Sequence, residues 1–184
     1  MATSKGFVPH HRRSIRLEGH DYASEGGYFI TIVTHNRNCL FGKIVDDEME
    51  LNDFGKIILR EWYRTGKIRP KIELIEDEFV VMPNHIHGII WITDFTGRGS
   101  LQRTPTTEQF QKPVSNSIPT IIRLFKATTT KQINLLRNTP GEPVWQRNYY
   151  EHIIRSERDY EEIANYIYHN PAGWENDKEF SPTS

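Results

Sequence analysis

Two histidines one residue apart, His85 and His87, lie inside the run F-V-V-M-P-N-H-I-H-G-I-I-W from Phe79 to Trp91. Two apolar runs, Phe79 to Met82 and Gly88 to Trp91, flank Pro83-Asn84, which reads as a tight turn in a buried hairpin. Alternate side chains of a strand share a face, so both imidazoles point one way with Ile86 buried behind them. Paired imidazoles at that spacing can hold one metal ion. The pair alone is weak evidence: with eight histidines in 184 residues, some His-x-His arises by chance about a third of the time. A surface pair at a strand end is the plainer reading of it.

A second group lies near the C-terminus, where Ser156-Glu157-Arg158-Asp159 resembles a capping box opening a helix from Glu157 to about His169, ended by Pro171. Tyr166 and Asn170 are four apart and stack on one side of it, presenting a phenol and an amide oxygen together, whereas Tyr168 points away. Tyr160 falls in the apolar stripe with Ile163 and Ile167 and reads as core. A residue before proline is biased away from the helical region, so Asn170 is the least fixed member of this geometry.

The run M-P-N-H-I-H-G-I-I resembles the His-hydrophobic-His motif of the HUH-superfamily transposases, which comprise the tyrosine transposases of single-strand insertion sequences and their REP-associated relatives. The segment W-Q-R-N-Y-Y-E-H-I-I-R-S-E-R-D-Y-E-E-I-A-N-Y-I-Y-H-N-P, Trp145 to Pro171, is similar to the REP-associated branch nearly residue for residue. The resemblance covers roughly Ser14 to Trp174. It implies a divalent metal, magnesium or manganese, held by His85, His87 and the side-chain oxygen of Asn170, with positions left open for phosphate oxygens. It also implies that Tyr166, the first tyrosine of Y-I-Y-x-N-P, attacks phosphorus to give a covalent 5'-phosphotyrosine and a free 3'-hydroxyl, with Tyr168 as runner-up. The implied partner is single-stranded or hairpin DNA, and the implied assembly a monomer or a homodimer. A relative that keeps the fold and binds DNA without cutting is the alternative, and a ferredoxin-like RNA-binding or regulatory domain with incidental histidines is a third.

The elements that must position these groups follow in order. Gly27 to Thr34 alternates β-branched and aromatic residues and predicts a central strand, and Phe41 to Leu51 predicts an edge hairpin turning at Asp46-Asp47-Glu48. Asn52 caps a helix whose Phe54, Ile57, Ile58 and Trp62 share a face. Lys71 to Met82 reads as a further strand running into the histidine strand. A second helix starts at Ser117 with Pro119 in its first turn and buries Ile118, Ile121, Ile122, Phe125 and Ile133. Tyr149 to Arg155 supplies a last strand. This order fits an α+β ferredoxin-like sandwich, an antiparallel β-sheet with two or three α-helices on one face, which is also the fold the resemblance implies. One domain spans 1–184, with a core of about 14–174 and an insertion at about 95–116 that is poor in large apolar residues.

Charge distribution says more than the net charge of -1. Between Phe95 and Tyr149, Arg98, Arg103, Lys112, Arg123, Lys126, Lys131, Arg137 and Arg147 face only Glu108 and Glu142, a local excess of 8 - 2 = +6 that suits a polyanion. Arg123, Lys126, Thr130, Asn134 and Arg137 step along one helix face, and Trp145, Tyr149 and Tyr150 are candidates to stack on unpaired bases. Arg12, Arg13 and Arg16 form a basic arm that could meet a DNA backbone. The single cysteine, Cys39, excludes an internal disulfide, reads as a small filler, and suits a reducing cytoplasm; no apolar stretch reads as a leader or membrane span. The polar tail beyond Gly173 reads as loose.

Overall fold

The structure, a computed structural model, describes residues 20–93 and 114–177. Arg12, Arg13 and Arg16, the insertion as far as residue 113, and the chain after residue 177 lie outside the described residues.

Alternation of apolar side chains produces the central pair of strands. β1 (Gly26–Val33) and β6 (His85–Ile92) run antiparallel in a register that sets Thr31 opposite His87 and Val33 opposite His85. β7 (Tyr150–Ile154) flanks β1 on its other side. On the far side of β6 the expected single strand from Lys71 to Met82 is instead two short ones, β4 (Ile72–Glu73) and β5 (Phe79–Val81). A 3-10 turn at Glu76–Glu78 separates them. There the carboxylate of Glu78 turns into the protein and accepts a hydrogen bond from Trp91 Nε1 at 2.6 Å. β2 (Gly42–Val45) and β3 (Glu48–Leu51) form the expected hairpin as a separate two-stranded sheet, turning through Asp46 and Asp47 at positive φ.

Each face of the main sheet is covered. Tyr28, Ile30, Ile32, Ile86 and Ile90 enter one core with Ile57, Ile58 and Trp62 of α1 (Asp53–Lys67) and with Ile118, Ile121, Ile122, Phe125 and Ile133 of α2 (Ile118–Leu136). Asn52 caps α1 as expected, its side chain accepting from the amides of Phe54 and Gly55. Gly88 sits where Trp62 crosses β6: a Cβ there would lie 2.6 Å from Trp62 Cζ2 and 2.8 Å from Phe79 Cδ2. α3 (Glu157–His169) takes the opposite face, where Tyr160, Ile163 and Ile167 pack on Phe29, Ile89 and Trp91. The α+β antiparallel sandwich is therefore present with two helices on one face, and the third lies against the other. That third helix is the one carrying Tyr166, and it shares its face with the histidines. Among the described residues no helix is long and apolar enough to cross a membrane.

Candidate active site

The turn at Pro83-Asn84 delivers both imidazoles to the α3 face while Ile86 enters the main core, as the alternation requires. Each ring is oriented by a neighbour. Asn84 is wholly buried; its Nδ2 donates to the Arg37 carbonyl at 3.1 Å, which turns its Oδ1 toward His85 Nδ1 at 2.8 Å. An amide oxygen only accepts, so His85 carries its proton on Nδ1 and keeps a lone pair on Nε2. His87 Nδ1 lies 2.8 Å from Thr31 Oγ1 across the β1–β6 pair, and its ring stacks on Phe29 with centroids 5.5 Å apart. The two imidazoles are 4.4 Å apart between centroids.

α3 delivers the second group. Ser156 caps it by accepting from the Asp159 amide, and Asp159 reaches back to the Arg155 amide and to His152. The neighbouring Glu78 carboxylate pushes the Tyr160 phenol pKa up. At the other end Tyr166 and Asn170 share a side, and Tyr168 points into solvent. Asn170 keeps helical angles, φ -60 and ψ -41, despite the proline after it. The tail then departs from the loose end expected beyond Gly173. A 3-10 turn at Trp174–Asn176 sets Trp174 beside His85, centroids 5.9 Å apart, and returns Asp177 to the cluster. The hydroxyl of Tyr166 donates to Asp177 Oδ2 at 3.1 Å and lies 3.1 Å from His87 Nε2. Asn170 Nδ2 donates to the same carboxylate oxygen at 3.1 Å.

Electrostatics keep the histidines neutral at pH 7. Burial pushes His85 down to about 4, opposed by the Asp177 carboxylate and by Asn170 and assisted by Arg37. Burial, and then His85 itself, hold His87 well below the usual histidine range. Neutral imidazoles are what metal ligation needs. His85 Nε2 and Asn170 Oδ1 are both buried, and neither has a hydrogen-bond partner. Two buried acceptors turned to one place, with no proton to share, match a cation's requirements, so the residues fit a divalent ion. Ligand atoms of His85, His87 and Asp177 all lie within 4.8 Å of one another, a possible two-histidine, one-carboxylate metal site. The motif reading brings together His85, His87, Tyr166 and Asn170, and it misses Asp177. The only sequence signal for Asp177 was its position seven residues after Asn170, at the end of a Gly-containing turn.

No family model matches the sequence. The chain is 46% identical over 180 residues to an uncharacterised protein of Haemophilus influenzae, covering 97% of this chain and 98% of that one, so the two belong to one family. It is 24% identical over 151 residues to a second Haemophilus influenzae protein, described as a candidate REP-associated tyrosine transposase, over 82% of this chain and 73% of that one. Among solved structures, a REP-associated tyrosine transposase bound to a REP hairpin superposes with a TM-score of 0.54 at 22% identity, covering 85% of this chain and 73% of that chain. In sequence and in fold the chain is similar to the REP-associated tyrosine transposases.

Not every residue that the sequence offered for DNA contact is free to make one. Trp145 is buried in the main core, its Nε1 donating to Thr129 Oγ1 at 2.9 Å, and Tyr149 packs against that core. Trp145 cannot stack on a base, so that expectation is corrected; Tyr149 is half-buried with the Lys126 ammonium over its ring, and Tyr150 is exposed. Lys126 is turned inward: its ammonium donates to the carbonyls of Gln146, Arg147 and Asn148 at 3.0, 3.5 and 2.8 Å, and burial lowers its pKa to about 8. Asn134 is buried and accepts from Arg137 Nε at 3.0 Å. On that face Arg123 is exposed and Arg137 is half-buried and donates to Asn134, with Arg147 exposed beyond the helix. Cys39 is half-buried, and burial pushes its thiol up, consistent with an inert filler.

Proposed function

We propose that this chain is a metal-dependent single-stranded DNA endonuclease and strand transferase of the transposase type, acting at hairpin-flanked or repetitive DNA as one domain spanning 1–184. One observation carries the reading: a half-exposed tyrosine hydroxyl, two neutral imidazoles and two oxygen-bearing side chains converge at the C-terminal end of α3 within a single chain. The hairpin bound to the solved relative motivates the choice of DNA partner.

His85, His87 and the side-chain oxygen of Asn170, joined by Asp177, would hold magnesium or manganese. Such an ion, when bound, neutralises charge on the non-bridging oxygens of a phosphodiester. The chain's own groups supply the rest. Phe29 and the hydrogen bond to Asp177 hold the Tyr166 ring, so its oxygen approaches phosphorus from a fixed direction. As the Oη–P bond forms, the phenolic proton passes to the Asp177 carboxylate, to which Tyr166 already donates. The P–O3' bond breaks, and the departing 3' oxygen takes a proton from water. The products are a 5'-phosphotyrosine and a 3'-hydroxyl. Attack by a 3'-hydroxyl on the phosphotyrosine reverses these bond changes and joins strands.

The test is a denaturing-gel assay for protein–DNA adducts. Single-stranded oligonucleotides from the flanks of the protein's own gene are incubated with magnesium, manganese or chelator, beside Tyr166→Phe and His87→Ala. A metal-dependent adduct absent from both variants is expected. An adduct that survives in Tyr166→Phe would move the nucleophile to Tyr168 or Tyr150. Binding without any adduct would make the chain a non-cutting DNA-binding relative.

A further inference from the structure

Beside the tyrosine and histidine cluster, the outer edge of the sheet carries an exposed aromatic ring. Tyr150 opens the edge strand β7 and is 51% exposed. The registers place it directly opposite Thr31, whose other neighbour is His87, so the three form a row across the α3 face. Adjacent strands lie about 4.8 Å apart, which sets the Tyr150 backbone about 10 Å from that of His87. Phe29 binds the row together. It meets Tyr150 edge-on with centroids 6.3 Å apart, stacks on His87, and meets Tyr166 edge-on at 6.2 Å. A single buried ring therefore fixes the nucleophile, one imidazole and the exposed phenol relative to one another.

The segment leading into Tyr150 is pinned as well. Lys126 gathers the carbonyls of residues 146 to 148 toward α2, and the side chains of Arg147 and Asn148 are left exposed. The sheet edge thus offers a flat apolar ring followed by a cationic and an amide side chain. That is the pairing a single strand presents in complement, base faces alternating with phosphates.

The geometry points to Tyr150 as the platform on which one unpaired base stacks beside the phosphate at the histidine pair, with Arg147 and Asn148 against the adjoining backbone. This rests on the strand-cleavage reading above. Every base has a π-face, so the contact supplies affinity and register without choosing a sequence. Because Phe29 links the platform to Tyr166, the stacked base sets where along the strand the cut falls.

The experiment uses full-length protein carrying Tyr166→Phe, so that no strand is cut, and fluorescence anisotropy with manganese. The probes are the flank oligonucleotides, intact or with a single abasic site walked along the strand. Replacing Tyr150 by Ala is expected to weaken binding about tenfold on the intact strand. One abasic position should weaken the parent protein to the same extent and add nothing to Tyr150→Ala, while Tyr150→Trp keeps parental affinity. Equal binding by the parent and Tyr150→Ala would overturn the assignment, as would losses that multiply at every abasic position. If the parent binds no single strand at all, the strand-cleavage reading fails first and the platform with it.

Discussion

Acid should destabilise this protein through His85. The imidazole is wholly buried, and its pKa falls from 6.5 to about 4, chiefly because burial disfavours the charged ring. Above pH 6.5 both the folded and unfolded chains hold it neutral, and it adds no pH dependence. Between 6.5 and about 4 the unfolded chain binds a proton that the folded chain does not, so stability falls as pH falls. Below about 4 both states are protonated and the loss is complete. At about 1.4 kcal/mol per pH unit the full effect is about 3 kcal/mol, most of it lost by pH 4.5. That is a large share of the 5–15 kcal/mol, roughly, by which a domain is stable. Urea unfolding followed by tryptophan fluorescence in chelator, from pH 7 to pH 4.5, measures it for the native protein and for His85→Gln. Other carboxylates and histidines titrate in both proteins, so the difference between the two profiles isolates His85. The native protein should lose about 2–3 kcal/mol more than the variant over that range. Parallel profiles would refute the buried, neutral imidazole and with it the ligand-ready state of the site.

Three further perturbations probe the same architecture. Thr31→Val removes the hydroxyl beside His87 Nδ1 and leaves a buried ring nitrogen unpaired, which should cost about 1–3 kcal/mol in urea unfolding and slow adduct formation. Asp177→Asn takes the charge from the cluster and the base that receives the Tyr166 proton; manganese affinity by titration calorimetry should fall about 10–100-fold, with the adduct rate falling too. Gly88→Ala drives a methyl into Trp62 and Phe79, where overpacking should cost about 1–3 kcal/mol, read as a lower urea midpoint without any change in manganese affinity.

Much of this was legible because two periodicities fix where side chains point. Period two in the run from His85 to Ile92 separates histidines from core isoleucines, and the four-residue step puts Tyr166 above Asn170 whatever the helix packs on. The packing face of that helix was not legible, since an amphipathic stripe states that a face is buried and not which side of a sheet receives it. Trp145 and Lys126 were misread for a related reason: aromatic and basic residues near one another fit a nucleic-acid surface equally well when each is satisfied inside, as both are here. The expected strand from Lys71 to Met82 is interrupted where the buried Glu78 meets a long-range partner, Trp91 Nε1, which local pattern does not show. Asp177 carried only its position after a Gly-containing turn; the turn through Trp174 makes it a neighbour of His85.

Thr31 shows how one neutral hydroxyl can serve two states of such a site. While the Tyr166 hydroxyl donates to Asp177, it can only accept from His87, so His87 carries its proton on Nε2 and Thr31 donates to Nδ1. For His87 to offer Nε2 as a ligand, its proton must lie on Nδ1, and Thr31 must then accept. A hydroxyl meets both demands by rotating about one bond, whereas a carboxylate would bind the second state only and a methyl neither. His85 needs no such freedom, because Asn84 accepts from Nδ1 and leaves Nε2 bare in either state. The two imidazoles therefore differ in kind: one is a fixed acceptor, and the other exchanges a hydrogen bond to the nucleophile for ligation. Under the proposed reaction, that exchange is what frees the Tyr166 oxygen from His87 before it meets phosphorus.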